Sequence, residues 1–201
     1  MKWGNPMRKI VAMVGMIFLL SACQNIADFE NDVMQTYLDV LQDRINIHTR
    51  LYFDWPNPQC FQSSYLSLSD YLMEIGEGIS WEIIEFAVVD MTDNGENDLV
   101  LSLRHPQIME NISLVLIYEN GSVYGNIFTH RNMSDIKSDG SFYRRISGHW
   151  TAARLDFTKG VFSSSNVFIE EQDKRESVIM FPFSAETIAY DLPIAWRYFH
   201  P

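Results

Sequence analysis

The stretch IIEFAVVDMTDNGENDLVLSL, residues 83–103, decides how the rest of the chain is read. Ile83 to Val89 and Leu99 to Leu103 are short apolar runs rich in β-branched and branched residues. Runs of this length, bounded by turn signals, read as strands. Between them Asp93-Asn94-Gly95 supplies residues that accept positive φ, so the chain is expected to reverse there and pair with itself.

Working outward, the same texture repeats. Ile112 to Tyr118 is followed by Glu119-Asn120-Gly121 and then by Val123 to Phe128. Ser138-Asp139-Gly140 precedes Phe142 to Ile146, and Thr158-Lys159-Gly160 separates Ala153 to Phe157 from Val161-Phe162. Val167 to Glu170 and Val178 to Phe183 flank a charged turn at Gln172 to Glu176. The pattern predicts an antiparallel meander of seven to nine strands. Upstream the period changes. Ile26, Phe29, Val33, Tyr37, Val40, Leu41 and Ile45 recur at three and four residues, with Asp28, Glu30, Asp32, Asp39, Gln42 and Asp43 between them. That spacing predicts an amphipathic helix over 26–48 that packs on the meander. Pro56 and Pro58 exclude its continuation. A second helix is expected over 66–75, capped by Ser67 or Ser69 and ended by Gly76 and Gly78, and Ser184 is expected to cap one more turn before Pro193. The fold class is α+β, as a single domain over 26–201 with no internal repeat and no domain linker.

The first 22 residues read as an address rather than as part of that fold. Lys2, Arg8 and Lys9 precede the uncharged run Ile10 to Leu20. Such a run is too short for a membrane-spanning helix, which needs about 20 residues, and suits the apolar core of a signal peptide. Initiation at Met1 or at Met7 leaves this leader complete. Leu20-Ser21-Ala22-Cys23 then follows. This resembles the lipobox of bacterial lipoproteins. The resemblance implies a diacylglyceryl thioether on Cys23, cleavage before it, acylation of the new amino terminus, and a short tether over 23–25. Several acyl chains hold where one does not, at about 0.8 kcal/mol per buried methylene. Gln24, rather than Asp, after the lipidated cysteine implies the outer membrane in a cell with two membranes. In a cell with one, the protein would face outward from it. An ordinary secretory signal or an uncleaved anchor is the plainer reading of the same residues.

Composition bounds the function classes. With 47% hydrophobic and 20% charged residues among 201, the chain can bury one sizeable core and is not a disordered type. The formal charge is −11, and because residues 1–22 hold three basic and no acidic residues, the chain from Cys23 onward carries −14. Such a body repels anionic headgroups and nucleic-acid phosphates, so membrane attachment would come from the lipid and nucleic acid is excluded as a partner. Of the two cysteines, lipidation of Cys23 leaves Cys60 without an internal partner. Cys60 then reads as a small apolar group or a free thiol.

Site chemistry concentrates in residues 86–101. The spacing Asp90, Thr92, Asn94, Gly95, Glu96, Asp98 resembles a degenerate form of the calcium loop of FG-GAP repeats and dockerins, a loop also found between strands in some bacterial cell-surface lipoproteins. Tyr118 to Tyr124 and Lys137 to Phe142 are similar to the strand–turn units that follow it there. The resemblance implies Asp90, Thr92, Asn94, the Glu96 carbonyl and Asp98 as Ca²⁺ ligands, with Gly95 at the turn. Calcium takes six to eight oxygens, and replacing two carboxylates by Thr92 and Asn94 places affinity at about 10⁻⁴–10⁻³ M. The same Asp-Asn-Gly also serves as a hairpin turn with no ion. Elsewhere His48, His105, His130, His149 and His200 show no zinc spacing, Ser163-Ser164-Ser165 reads as a loop, and no phosphate-binding glycine motif occurs. Trp55, Trp81, Trp150, Trp196, Tyr198 and Phe199 read as packing residues, with Trp150 and Trp196 able to contribute to a groove. The expectation is a lipid-anchored, non-enzymatic envelope protein that binds a protein or envelope-polymer partner or plays a structural role. The alternative is an anchored hydrolase of envelope polymers with an unrecognised carboxylate pair, since Glu82/Glu85 and Glu170/Glu171 read as ordinary surface charge.

Overall fold

The computed structural model describes residues 31–52, 61–107, 111–167 and 176–198. The leader, Cys23 and its tether, Trp55, Cys60, the Glu170/Glu171 pair, Phe199 and His200 lie outside these residues. The chain divides between Gln35 and Thr36 into two units. Of the first, residues 31–35 are described, and they are helical. Everything below concerns the second.

Helical backbone runs over 31–41, and its 36–41 part is α1 of the second unit. It ends seven residues short of the sequence expectation. The Arg44 N–H donates to the Asp39 carbonyl and the Asp43 N–H to the Val40 carbonyl, with Asp43 at φ 55°. This is a Schellman closure, with Asp43 in place of the usual glycine. Beyond it Ile47 and His48 belong to a strand, because an apolar residue four after Leu41 fits the helical period while Ile45-Asn46-Ile47-His48 also fits an alternation of two. Strand β1 is Ile47–Tyr52, and β2 (Phe61–Leu66), which sequence reading did not anticipate, pairs antiparallel with it. Helix α2 (Leu68–Ile75) follows as expected. The Asp70 N–H donates to the Ser67 hydroxyl, which donates back to the Asp70 carboxylate at 2.8 Å. Leu68, Tyr71 and Leu72, on one face, are buried. A second Schellman closure ends it, with Glu77 at φ 52° and the Gly78 N–H donating to the Met73 carbonyl.

Strands β3 (Glu82–Val89), β4 (Asp98–Arg104), β5 (Asn111–Glu119) and β6 (Ser122–Thr129) form the expected antiparallel meander. Two additions make it a mixed seven-stranded sheet rather than a purely antiparallel one. β1 docks parallel to β6 through His48↔Tyr124 and Thr49↔Gly125, carrying β2 to one edge. At the other edge the two-residue β10 (Phe181–Pro182) pairs with β3. The expected strand Val178 to Phe183 contracts to β10 because the Val178 N–H instead donates to the Ile136 carbonyl. A separate antiparallel sheet contains β7 (Phe142–Ile146), β8 (His149–Thr158) and β9 (Val161–Asn166). Ten strands are therefore described, against seven to nine expected. Ser163 to Ser165 are not a loop. They lie in β9, held in register with β8 by the positive-φ turn Lys159-Gly160.

The core explains the continuous apolar runs of β3 to β5. Ala87, Val89, Val100, Val115 and Ile117 pack with Phe142, Ala153 and Leu155 of the small sheet. The alternate residues Phe86, Val88, Leu99, Leu101, Leu114 and Leu116 are as deeply buried on the opposite face. Helix α1 and the C-terminal helix serve that face. The Tyr37 ring lies 5.9 Å from that of Trp196, and its hydroxyl donates to the Leu116 carbonyl of β5. Strands buried on both sides cannot alternate apolar with polar residues. Helix α3 (Ile188–Tyr198) runs through Pro193, where the sequence predicted a stop. Ile188, Leu192, Ala195 and Trp196 fall on one buried face, and that burial outweighs the one backbone bond the proline forfeits.

Candidate functional site

The eight residues 90–97 connect β3 to β4, and Val89 pairs with Asp98 at their base. The Asp90 carboxylate organises the loop. It accepts the N–H groups of Thr92 and Asn94 at 3.2 Å and that of Gly95 at 2.8 Å. Asn94 repeats the device on a smaller scale, accepting the Glu96 N–H at 2.7 Å. Asp93 and Gly95 take φ of 57° and 83°, which allows the N–H groups to converge on one acid. Short polar residues and glycine are the types that bear such angles.

Asp98 differs from its neighbours in being only 2% exposed. Its carboxylate accepts the Met91 N–H at 2.9 Å. Burial drives its carboxyl well above the usual range, and the nearby Asp90 and Glu96 charges push the same way. The Glu96 carboxyl also rises, first through desolvation and then through Asp90. Tyr37 is coupled to the same place. Burial and then the Asp98 charge raise its phenol, whose hydroxyl accepts the Tyr118 N–H at 3.0 Å.

Three further residues belong to this site, and sequence spacing did not single them out. Arg154 of β8 donates to the Asp93 carboxylate at 2.5 Å and to the Asp139 carbonyl and carboxylate at 3.0 and 3.4 Å. It ties the loop tip to the 137–141 turn, where Asp139 also accepts the Ser141 N–H. Gly140, at φ 76°, presses on the loop so closely that a Cβ there would stand 1.8 Å from the Asp90 carbonyl oxygen. These partners lie far downstream in sequence, and only the packing of the small sheet under β3 and β4 brings them in.

As calcium ligands, the residues are right in kind and incomplete in arrangement. Hard oxygen donors surround the loop, and the Thr92 hydroxyl is buried without a hydrogen-bond partner. Among the described residues, however, no three His, Cys, Asp or Glu side chains converge closely enough to hold a metal ion. Asp90 is engaged by three backbone donors and Asp98 lies beneath the loop against Met91.

The other sequence candidates are dispersed. Glu82 pairs with Arg104 at 2.9 Å on the sheet surface, and Glu85 lies farther along β3 opposite Ser102. His48 stacks on Tyr124, His105 meets Trp81 edge-on, and His130 meets Trp150 edge-on. Trp81 and Trp196 are buried, whereas Trp150 is half exposed. Comparison with family models, with curated proteins and with solved structures finds no match to this chain.

Proposed function

We propose that the chain is a lipid-anchored protein of the bacterial envelope, attached through Cys23, whose folded body is a non-enzymatic binding or structural module. One observation carries the reading. Three basic residues, the eleven-residue apolar run Ile10 to Leu20, and Leu20-Ser21-Ala22-Cys23 occur in the order that a lipoprotein leader requires. It is supported by the acidic body, which gives a membrane surface no electrostatic purchase. Among the described residues no helix is long and apolar enough to cross a membrane. We further propose that the amphipathic helix begins at Ile26, because Ile26, Phe29 and Val33 continue the spacing of Tyr37 and Val40 on one face.

The test is chemical. Cells expressing the full chain should yield a mature protein starting at Cys23 and carrying the mass of its acyl groups. Cys23→Ser should release the protein from sedimented envelopes. An intact leader with no added fatty mass, or a Cys23→Ser variant that sediments as the wild type does, would overturn the proposal.

Within this module loop 90–98 has two readings, a hairpin turn with no ion, which the unconverged carboxylates favour, and a weak calcium site. The calcium reading is supported by the Asp90 charge, which adds to burial in raising the Glu96 and Asp98 carboxyls and which a divalent cation would offset. A ligand of the native state must raise Tm by mass action, so calcium at about 10 mM should raise it and chelator should return it. An unchanged Tm in both conditions removes calcium from the account.

A further inference from the structure

A second region has chemistry opposite to that of the acidic loop. Where β1 meets β6 the parallel pairing extends over just two residue pairs. The tip of the β8–β9 hairpin covers that seam. Beneath it lies a pocket of about 190 Å³, whose lining among the described residues includes His48, Thr49, Tyr124, Lys159, Gly160 and Phe162. Phe157 extends its aromatic wall, 5.3 Å from Tyr124 and 4.8 Å from Phe162 by ring centroids. The tip fits because Gly160 lacks a side chain. A Cβ there would come within 2.9 Å of the Tyr124 ring.

Lys159 is the informative member. It holds φ 52° at the first central position of a two-residue turn, where asparagine, aspartate or glycine is strongly preferred. Among the described residues, the other non-glycine positive-φ positions are Asp43, Glu77, Asp93, Asn120, Asp135 and Ser147. All but Glu77 are short polar residues suited to that backbone. A long cationic side chain held at such a position beside a pocket is backbone strain that points to use. The pocket thus combines an ammonium and an imidazole with aromatic walls, on a chain of net charge −11. Its volume is close to the roughly 150 Å³ of a cavity known to admit benzene.

We infer that this pocket binds a small planar carboxylate, with the aryl or similarly flat body against the wall formed by Tyr124, Phe157 and Phe162 and the anionic end toward Lys159 and His48. The inference is independent of the lipid anchor and of the calcium loop. An ion pair formed beside an apolar wall is screened less than one in open water, which favours an anion with a flat body over a bare anion.

Benzoate is the probe, with benzyl alcohol as the neutral body and acetate as the bare charge. The full chain, purified in detergent, is titrated with each while the His48 imidazole and Tyr124 ring resonances are followed. Benzoate should shift both saturably in the millimolar range, and the other two should bind at least about tenfold more weakly. Lys159→Asn, which suits the turn and so preserves the fold, should weaken benzoate by about tenfold or more. Absence of a saturable shift, equal binding of benzyl alcohol, or unaltered benzoate affinity in a folded Lys159→Asn variant would each overturn the inference.

Discussion

The acidic loop and the aromatic pocket make opposite use of the same two sheets. Loop 90–97 is a local motif organised by one acid, Asp90, which accepts three of the loop's own N–H groups, while Asp93 at its tip turns to Arg154. The pocket has no local motif. His48, Tyr124 and Lys159 are separated by 76 and 35 positions and meet because β1 inserts beside β6 and the β8–β9 tip folds over that seam. A chemically conspicuous sequence can thus describe a turn organised mainly from within, while an inconspicuous set of residues lines the open pocket.

The largest expected effect breaks the loop side of this comparison. Gly140→Ala places a methyl group against the Asp90 carbonyl at a positive φ, so it should cost about 3 kcal/mol in urea unfolding. Gly95→Ala, where nothing lies within 4 Å of the added Cβ, should lose only the backbone term of about 1–2 kcal/mol. Equal losses would show that the 137–141 turn does not support the loop.

Next comes the titration of Asp98. Its folded-state carboxyl lies well above the ordinary 3.8, so the folded form retains a proton that the unfolded chain has already released. The stability contributed is full below about pH 4 and is lost as pH rises through the elevated folded value. Asp98→Asn keeps an acceptor for the Met91 N–H without the charge. It should flatten the decline of stability as pH rises above about 4 and stabilise the protein in the range where the wild-type Asp98 carboxyl is ionised. A pH profile parallel to wild type would place the proton elsewhere.

The smallest effect sharpens the pocket side. Replacing Lys159 with asparagine relieves an unfavourable backbone position and should raise stability by a few tenths of a kcal/mol, on the order of 0.5. A loss of stability on thermal unfolding would mean that Lys159 is there to support the turn rather than to serve the pocket.

Much of this fold was legible in the chain. The runs 83–89, 99–103, 112–118 and 123–128 became β3 to β6, because strands buried on both faces carry unbroken apolar stretches between turn residues. The end of α1 was not legible, since Ile45 and Ile47 satisfy two periods at once and the decision fell to Asp43 in the closing turn. Nor was the passage of α3 through Pro193, where four buried residues on one face override a local stop signal. Of the candidate site, Asp90 to Asp98 were visible by spacing. Arg154, Asp139 and Gly140 were not, because nothing local to them refers to a loop so far upstream.

By itself, then, the sequence determined the strand-rich α+β class, the turn positions and the self-organisation of the acidic loop, since each depends on interactions among near neighbours. Only the tertiary structure decided that β1 lies parallel to β6, that Arg154 clasps the loop tip, and that Lys159, His48 and Tyr124 line one pocket. Contacts between distant residues arise from packing whole sheets and helices, and a linear pattern records the preferences of each surface without recording which surface it will meet.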